Sequence, residues 1–389
     1  MALHFSRDEF ARRRSRAVAR MAERGLDGML MFRQESMYYL TGYDTFGYVF
    51  FQCLYLGADG ALTLLTRSPD LRQARHTSTI EDIRVWADRA GADPAGELRD
   101  ILAGHGCKGQ RLGVELEAYG LTGRSWQRLD AALAGFCALE DSSELVSELR
   151  LVKSPAELAY VQRAAELADR ALDEANRLAV AGAFEGDILA AMQGAVFAGG
   201  GDYPGNEFII GSGRDALLCR YFSGRRRLDA QDQLMLEFAG VHRHYHAALM
   251  RTVIVGRASR RQRDMHAVCR DALAAAEEAL KPGRPIGEVF DACARTFDRA
   301  GHRDNRLNAC GYAMGATFSP SWMDWPMFFT GNPVIAEEDM VFFLHPLLMD
   351  SANGLAMAVG ETVRVTDTGC ERLSQASLDL VVNEAPCRT

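Results

Sequence analysis

Residues 234–255, LMLEFAGVHRHYHAALMRTVIV, constrain the fold of this 389-residue chain more than any other stretch. Apolar residues run up to Ala239-Gly240 and then alternate with polar ones, which predicts two strands joined at that glycine. With period two along the second strand, His242, His244, His246 and Ala248 are expected on one face and Arg243, Tyr245, Ala247 and Leu249 on the other. Three imidazoles beside Glu237 form an ionisable cluster that a fold does not collect for packing alone. A solvated strand edge accounts equally for any one of them.

Size and charge bound what can be built around this stretch. The length suggests two domains or one large one. A net charge of −8 supplies no basic field for nucleic acid, and Arg225-Arg226-Arg227 is too short to reverse it. The nine cysteines, at 53, 107, 137, 219, 269, 293, 310, 370 and 387, include no C-x-x-C pair. That argues against zinc ribbons and thioredoxin chemistry and for a reduced compartment. The charged start MALHFSRDEFARRRSR has no apolar signal core, and no stretch approaches the ~20 apolar residues of a membrane span. A cytoplasmic protein with neither nucleic-acid nor membrane partners is the expectation.

Along the chain, residues 6–24 read as an amphipathic helix with Ser6 as its cap. Strands are expected at 28–32, 49–56, 61–65 and 111–115, and helices near 94–105 and 124–135. This alternation predicts a small α/β domain over 1–148. Ser154-Pro155-Ala156-Glu157 then combines a cap, a first-turn proline and a capping-box glutamate. It opens a second domain, 149–389, with helices at 155–180, 185–198, 257–280 and 286–299. Strands at 340–348 and 359–366 close it. The glycines and proline of 199–206 mark a loop, without the strand–helix context of a phosphate-binding motif.

Three segments together resemble the pita-bread superfamily of aminopeptidase P, prolidase, methionine aminopeptidase and creatinase. They are an acidic residue before Gly240, Arg251-Thr252 leading to Val255-Gly256, and the R-x-x-K-S-x-x-E linker Arg150 to Glu157. The resemblance implies an α+β fold, with a creatinase-like N-terminal α/β domain and a C-terminal pita-bread domain. In the superfamily's peptidases two aspartates, a His and two glutamates hold a pair of divalent metals. Carried over, those positions fall on Glu237, Ala248, Tyr312, His345 and Gly360, with Glu361 one place beyond the last. Hard divalent ions want several carboxylate oxygens, so neither metal nor other cofactor is expected. A single soft-metal site from His345, His246 and Glu237 stays open.

Among metal-free branches the chain resembles ectoine hydrolases through Met37–Asp44, Gly200–Pro204, Glu237–Gly240, Arg243–His246 and Gly311-Tyr312. It resembles creatinase through Thr45-Phe46-Gly47, Tyr245, Ala248-Leu249 and Arg251-Thr252. Both branches carry a His where Leu218-Cys219-Arg220-Tyr221 has Arg220, and in creatinase that His is the acid/base.

Hydrolysis of a C–N bond without metal needs a base for water, a donor for the leaving nitrogen and a group to hold developing charge. Glu237 is the first choice for acid/base work, or else a carboxylate bound to backbone. His246 and His345 are candidate proton shuttles, Tyr312 a candidate donor, and Glu361 a further catalytic candidate. Arg220 offers a fork to a substrate carboxylate, or an ion pair to Asp202 or Glu361. Asp202, Tyr203, His244, Phe46, Tyr48 and Trp325 complete the candidate substrate contacts, the aromatics because ring faces favour delocalised or ammonium-like charge. Core packing is the other use for most aromatics, Tyr43, Trp322 and Phe328 included. The resemblance also implies a homodimer in which the Phe46 region reaches the partner's site.

The function expected is metal-independent hydrolysis of a C–N bond in a small zwitterion, as in ring opening of ectoine or a related cyclic amidine. A metal-dependent Xaa-Pro dipeptidase or aminopeptidase, a creatinase-like amidinohydrolase and a non-catalytic binding protein are the alternatives. A carbon–sulfur lyase acting on a sulfonium zwitterion ranks last.

Overall fold

The computed structural model describes residues 3–220 and 225–384, so Tyr221 and Cys387 lie outside the described residues. The chain divides into two compact units, Met1–Arg150 and Leu151–Thr389. The first holds a six-stranded sheet built from β1 (Gly28–Met31), β2 (Cys53–Gly57), β3 (Leu62–Arg67), β4 (Asp82–Trp86), β5 (Arg111–Val114) and β6 (Ala138–Asp141), in the order β4-β3-β2-β1-β5-β6. Its helices are α1 (Arg7–Glu23), α2 (Gln34–Thr41), α3 (Leu71–Thr77), α4 (Pro94–Gly104), α5 (Gly123–Leu133) and α6 (Leu145–Leu151). Ser6 caps α1 by accepting the Glu9 N–H at 3.1 Å. Two apolar cores form here, one containing Met21, Met31, Tyr43 and Leu54 and the other Phe32, Tyr55, Trp86 and Leu129. Of residues 49–52, expected as strand, Val49 ends a short 3-10 turn and 50–52 lead from it to the start of β2.

The second unit opens on α7 (Pro155–Leu178), where Ser154 and Glu157 complete the capping box in both directions. Then come α8 (Glu185–Ala198), β7 (Ile209–Ser212), β8 (Asp232–His242), β9 (Tyr245–Val255), α9 (Arg260–Ala279) and α10 (Gly287–Arg299). Short strands follow at β10 (Gly311–Ala313), β11 (Asp324–Met327), β12 (Val341–Leu344) and β13 (Leu347–Asp350), then the long β14 (Leu355–Val365), β15 (Cys370–Arg372) and β16 (Val381–Asn383). Together these strands make a ten-stranded sheet whose main path is β11-β10-β12-β14-β9-β8-β7, with β13 and β15 on β14 and β16 on β9. It is the curled sheet of the pita-bread fold. Between β9 and β14 the Thr362 hydroxyl stands in for a ladder bond, meeting both Ala248 N at 2.8 Å and Ala248 O at 2.9 Å.

The hairpin turns later than its glycine suggests. β8 runs through Ala239-Gly240 to His242, which pairs with Tyr245, and the two turn residues are Arg243 and His244. Both have left-handed backbones, at φ 51° and 66°, the requirement of the tight turn that matches strand twist. Gly240 serves packing instead: a Cβ there would run into the carbonyl oxygen of Ala164 and the amide of Ala168 on α7. The three histidines therefore do not share a face. His242 ends one strand, His244 sits in the turn, and His246 is buried in the other strand.

All eight described cysteines are free thiols. No helix among the described residues is long and apolar enough to cross a membrane.

Candidate functional site

Opposed residues of an antiparallel ladder lie on the same face, and their neighbours on the other. Glu237 opposes Met250, and Met250 opposes Gly360. Two residues along β14, Thr362 opposes Phe343, and Phe343 opposes Tyr312. Glu237, Met250, Gly360, Phe343 and Tyr312 thus line one face. Gly240, two positions from Phe238, is on the opposite face, the one packed on α7.

On the first face, the Tyr312 hydroxyl donates to Glu237 Oε1 at 3.2 Å, and the Trp322 indole N–H donates to that hydroxyl at 2.8 Å. Tyr312 and Trp322 are buried, whereas Glu237 is partly exposed. Burial pushes the Glu237 carboxyl up to about 7, against the opposing effects of the Tyr312 bond and the Arg220 charge. Burial and the neighbouring carboxylate raise the Tyr312 hydroxyl well above its ordinary value, so it stays a proton donor. The His345 ring lies 5.4 Å from the Tyr312 ring and 5.5 Å from Phe343, centre to centre. Burial lowers its pKa to about 4, and its Nδ1 has no hydrogen-bond partner. His345 is therefore a neutral imidazole at the site, able to accept at one nitrogen and donate at the other.

Arg220 is exposed, with its guanidinium 3.8 Å from Met323 Sδ. Its positive charge bears on Glu237, Tyr312 and His345 together. Among the described residues no ion pair joins it to Asp202 or Glu361. Asp202 instead accepts the His244 backbone N–H at 3.3 Å.

Several candidates lie off this face or are already engaged, and His246, on the Glu237 face by alternation along β9, is among the latter. Glu361 follows Gly360, so strand alternation turns it to the opposite face, where it pairs with Arg251. It is wholly buried there and does not reach Glu237's face. His246 is also wholly buried, its Nε2 accepting Gly205 N–H at 2.8 Å and its Nδ1 3.2 Å from Thr317 Oγ1. Burial lowers its pKa to about 3, so the ring stays neutral, with its one proton held towards Thr317 and its lone pair already taken by Gly205. His244 stacks on Phe318 at 4.2 Å, and Tyr203 projects outward, edge-on to Phe197. Trp325 packs against the core that contains Phe328 and Phe342. Phe46 and Tyr48 belong to the first unit, where Phe46 is 79% exposed and Tyr48 is buried.

Trp322 is the site residue that its sequence context conceals, since a Trp among prolines and serines reads equally as core. The donors on the Glu237 face do not fit a pair of divalent ions. Among the described residues Glu237 is the one carboxylate that the ladder places on it, Ala248 offers no ligand atom, and a side chain at 360 would meet Met250 Cβ and Phe343 Cζ at 2.8 Å. Among the described residues no three His, Cys, Asp or Glu side chains are grouped to hold a metal ion.

Residues 159–368 match metallopeptidase family M24, and residues 13–152 match the creatinase/prolidase N-terminal domain. The chain is 26% identical to the ectoine hydrolase of Halomonas elongata, over 98% of this chain and 99% of that protein. It is 24% identical to the Xaa-Pro dipeptidase of Pyrococcus furiosus, over 61% and 67%. An uncharacterized hydrolase/peptidase of Sinorhizobium fredii is 27% identical over 98% and 99%. Among solved structures, the prolidase of Thermococcus sibiricus superposes with a TM-score of 0.87 at 20% identity, covering 97% of this chain and all of that one. The dipeptidase PepE of Mycobacterium ulcerans gives 0.85 at 23%, covering 98% and all.

Proposed function

From the premise that this chain belongs to metallopeptidase family M24, we propose that it is a hydrolase opening a non-peptide C–N bond in a small zwitterion without a metal ion. A cyclic amidine of the ectoine type is the substrate class. The observation that carries this is Glu237, a lone carboxyl with its pKa near 7, bonded to Tyr312 on a face without further carboxylates.

A carboxyl that is half ionised at neutral pH both takes and returns a proton readily. Glu237 removes a proton from water as the oxygen attacks the amidine carbon. It then delivers that proton to the leaving ring nitrogen as the C–N bond breaks. His345, neutral and beside Tyr312, accepts a hydrogen bond from water or substrate at one nitrogen. Arg220 presents a fork to the substrate carboxylate from the exposed side of the site. The full-length similarity to an ectoine hydrolase supports the substrate class.

Incubating chelator-treated protein with ectoine, hydroxyectoine and creatine, with products followed by mass, tests the proposal. Ring-opened product from ectoine is expected, and no turnover of any of the three sinks it. The similarity to Xaa-Pro dipeptidases favours a second reading, a metal-dependent peptidase. Stoichiometric bound manganese with activity on Xaa-Pro dipeptides would establish that one instead. In the first unit Phe46, Val49 and Phe50 are exposed close together in sequence. We propose this apolar tip as the contact to a second copy of the chain, in a homodimer housed in a reduced cytoplasm.

A further inference from the structure

His246 takes no part in the chemistry above, yet its ring is bonded on both sides while wholly buried. An imidazole that accepts at Nε2 carries its one proton on Nδ1, so the bond to Thr317 runs from nitrogen to hydroxyl. These two bonds tie together segments far apart in sequence, the loop at 202–206 and the strap at 317–322. The loop grips the strap again through Asn206 Oδ1, which accepts the backbone N–H of Trp322 at 3.1 Å. Gly205 lies so close that a Cβ on it would be 2.7 Å from the carbonyl oxygen of Ser321. The strap carries the indole whose N–H meets Tyr312.

An indole N–H only donates. The Tyr312 oxygen must accept it, and Tyr312 therefore directs its own proton to Glu237 Oε1. When Glu237 is protonated, its proton is left to the other carboxyl oxygen, Oε2. With the indole withdrawn, the Tyr312 hydroxyl could reverse and take that proton into a bond with itself.

We propose that His246 is a positioning residue: by clamping Gly205 to Thr317 it holds the Trp322 indole on Tyr312, and so fixes the direction of the Tyr312–Glu237 hydrogen bond. Its catalytic consequence rests on the reading of Glu237 given above, whereas the clamp itself is measurable without substrate.

The chain has four tryptophans, 86, 126, 322 and 325, so indole N–H signals of the full-length protein labelled with 15N-tryptophan report the clamp. Trp322→Phe assigns the signal, and Tyr312→Phe should move it. In His246→Ala the Trp322 signal should move the same way and its solvent exchange rise about tenfold, the equivalent of one buried hydrogen bond. The other three signals should hold, showing that the fold is intact. His246→Gln, whose amide oxygen can accept from Gly205, should restore most of the slow exchange. If His246→Ala does not fold, Thr317→Val removes one side of the clamp and should speed Trp322 exchange alone. An unmoved Trp322 signal in the folded variants overturns the proposal. So does an equal loss of all four signals in both His246→Gln and Thr317→Val. If ectoine is not turned over but Trp322 responds as described, the reaction is misassigned and the clamp stands.

Discussion

Two carboxylates of one sheet, Glu237 on β8 and Glu361 on β14 with β9 between them, have opposite surroundings. Glu237 has no cation within ion-pair distance among the described residues; its bond is from Tyr312, and burial carries its pKa to about 7. Glu361 is also raised by burial, but the Arg251 guanidinium opposes that rise with a direct ion pair. Arg251 is itself tied to the Met250 and Gly360 carbonyl oxygens at 3.0 and 2.8 Å. What separates the two is one step along β14: Gly360 lies on the Glu237 face and Glu361 on the other. An acid with a movable proton and a charge locked into the sheet can thus be the same residue type within one sheet.

The comparison breaks most sharply in turnover. Glu237→Gln should lower the rate on ectoine by roughly 10²–10⁴-fold, the range for removing a general acid–base group. Glu361→Gln should leave the rate within a few-fold, and equal losses would show that the face assignment fails. Next comes stability. Arg251→Met strands a buried charge, and denaturant melts should show a loss of about 3–5 kcal/mol.

A smaller effect has a pH signature. Folded Glu237 holds its proton up to about 7, whereas an unfolded Glu releases it near about 4.3. Between those values the folded state binds more protons, so its stability falls as pH rises through the window. Glu237→Gln should therefore melt like the parent at pH 4 and be more stable at pH 8, by up to about 3–4 kcal/mol and less where solvent screens the part-exposed carboxyl. A gap that widens towards low pH would contradict the assignment. The smallest change is expected from Tyr312→Phe. Its lost bond to the carboxylate should move the acid limb of the pH–rate profile upward, by less than about one unit.

The sequence-level reading reaches the fold through local chemistry. Ser154, Pro155 and Glu157 form the cap that their spacing announces, and the long helices and strands follow their periodicity. It misplaces the hairpin because Gly240 has two uses, a turn or a close approach, and only the position of α7 decides between them. The turn falls instead on Arg243-His244, residues with no turn signature of their own. The site divides in the same way. Glu237 and Tyr312 are each picked out by their own sequence segments, while the face that Glu361 takes requires the exact register to be known. Trp322 joins the site through a loop whose path depends on His246, a contact between residues 205 and 246 that no local pattern encodes.

Gly360 carries a consequence for what this face could become. With Phe343 and Met250 filling the space where a side chain would begin, a carboxylate gained there by a single substitution would have nowhere to go. Building a second carboxylate at this position would require Phe343 to shrink as well, with an apolar gap as the immediate result.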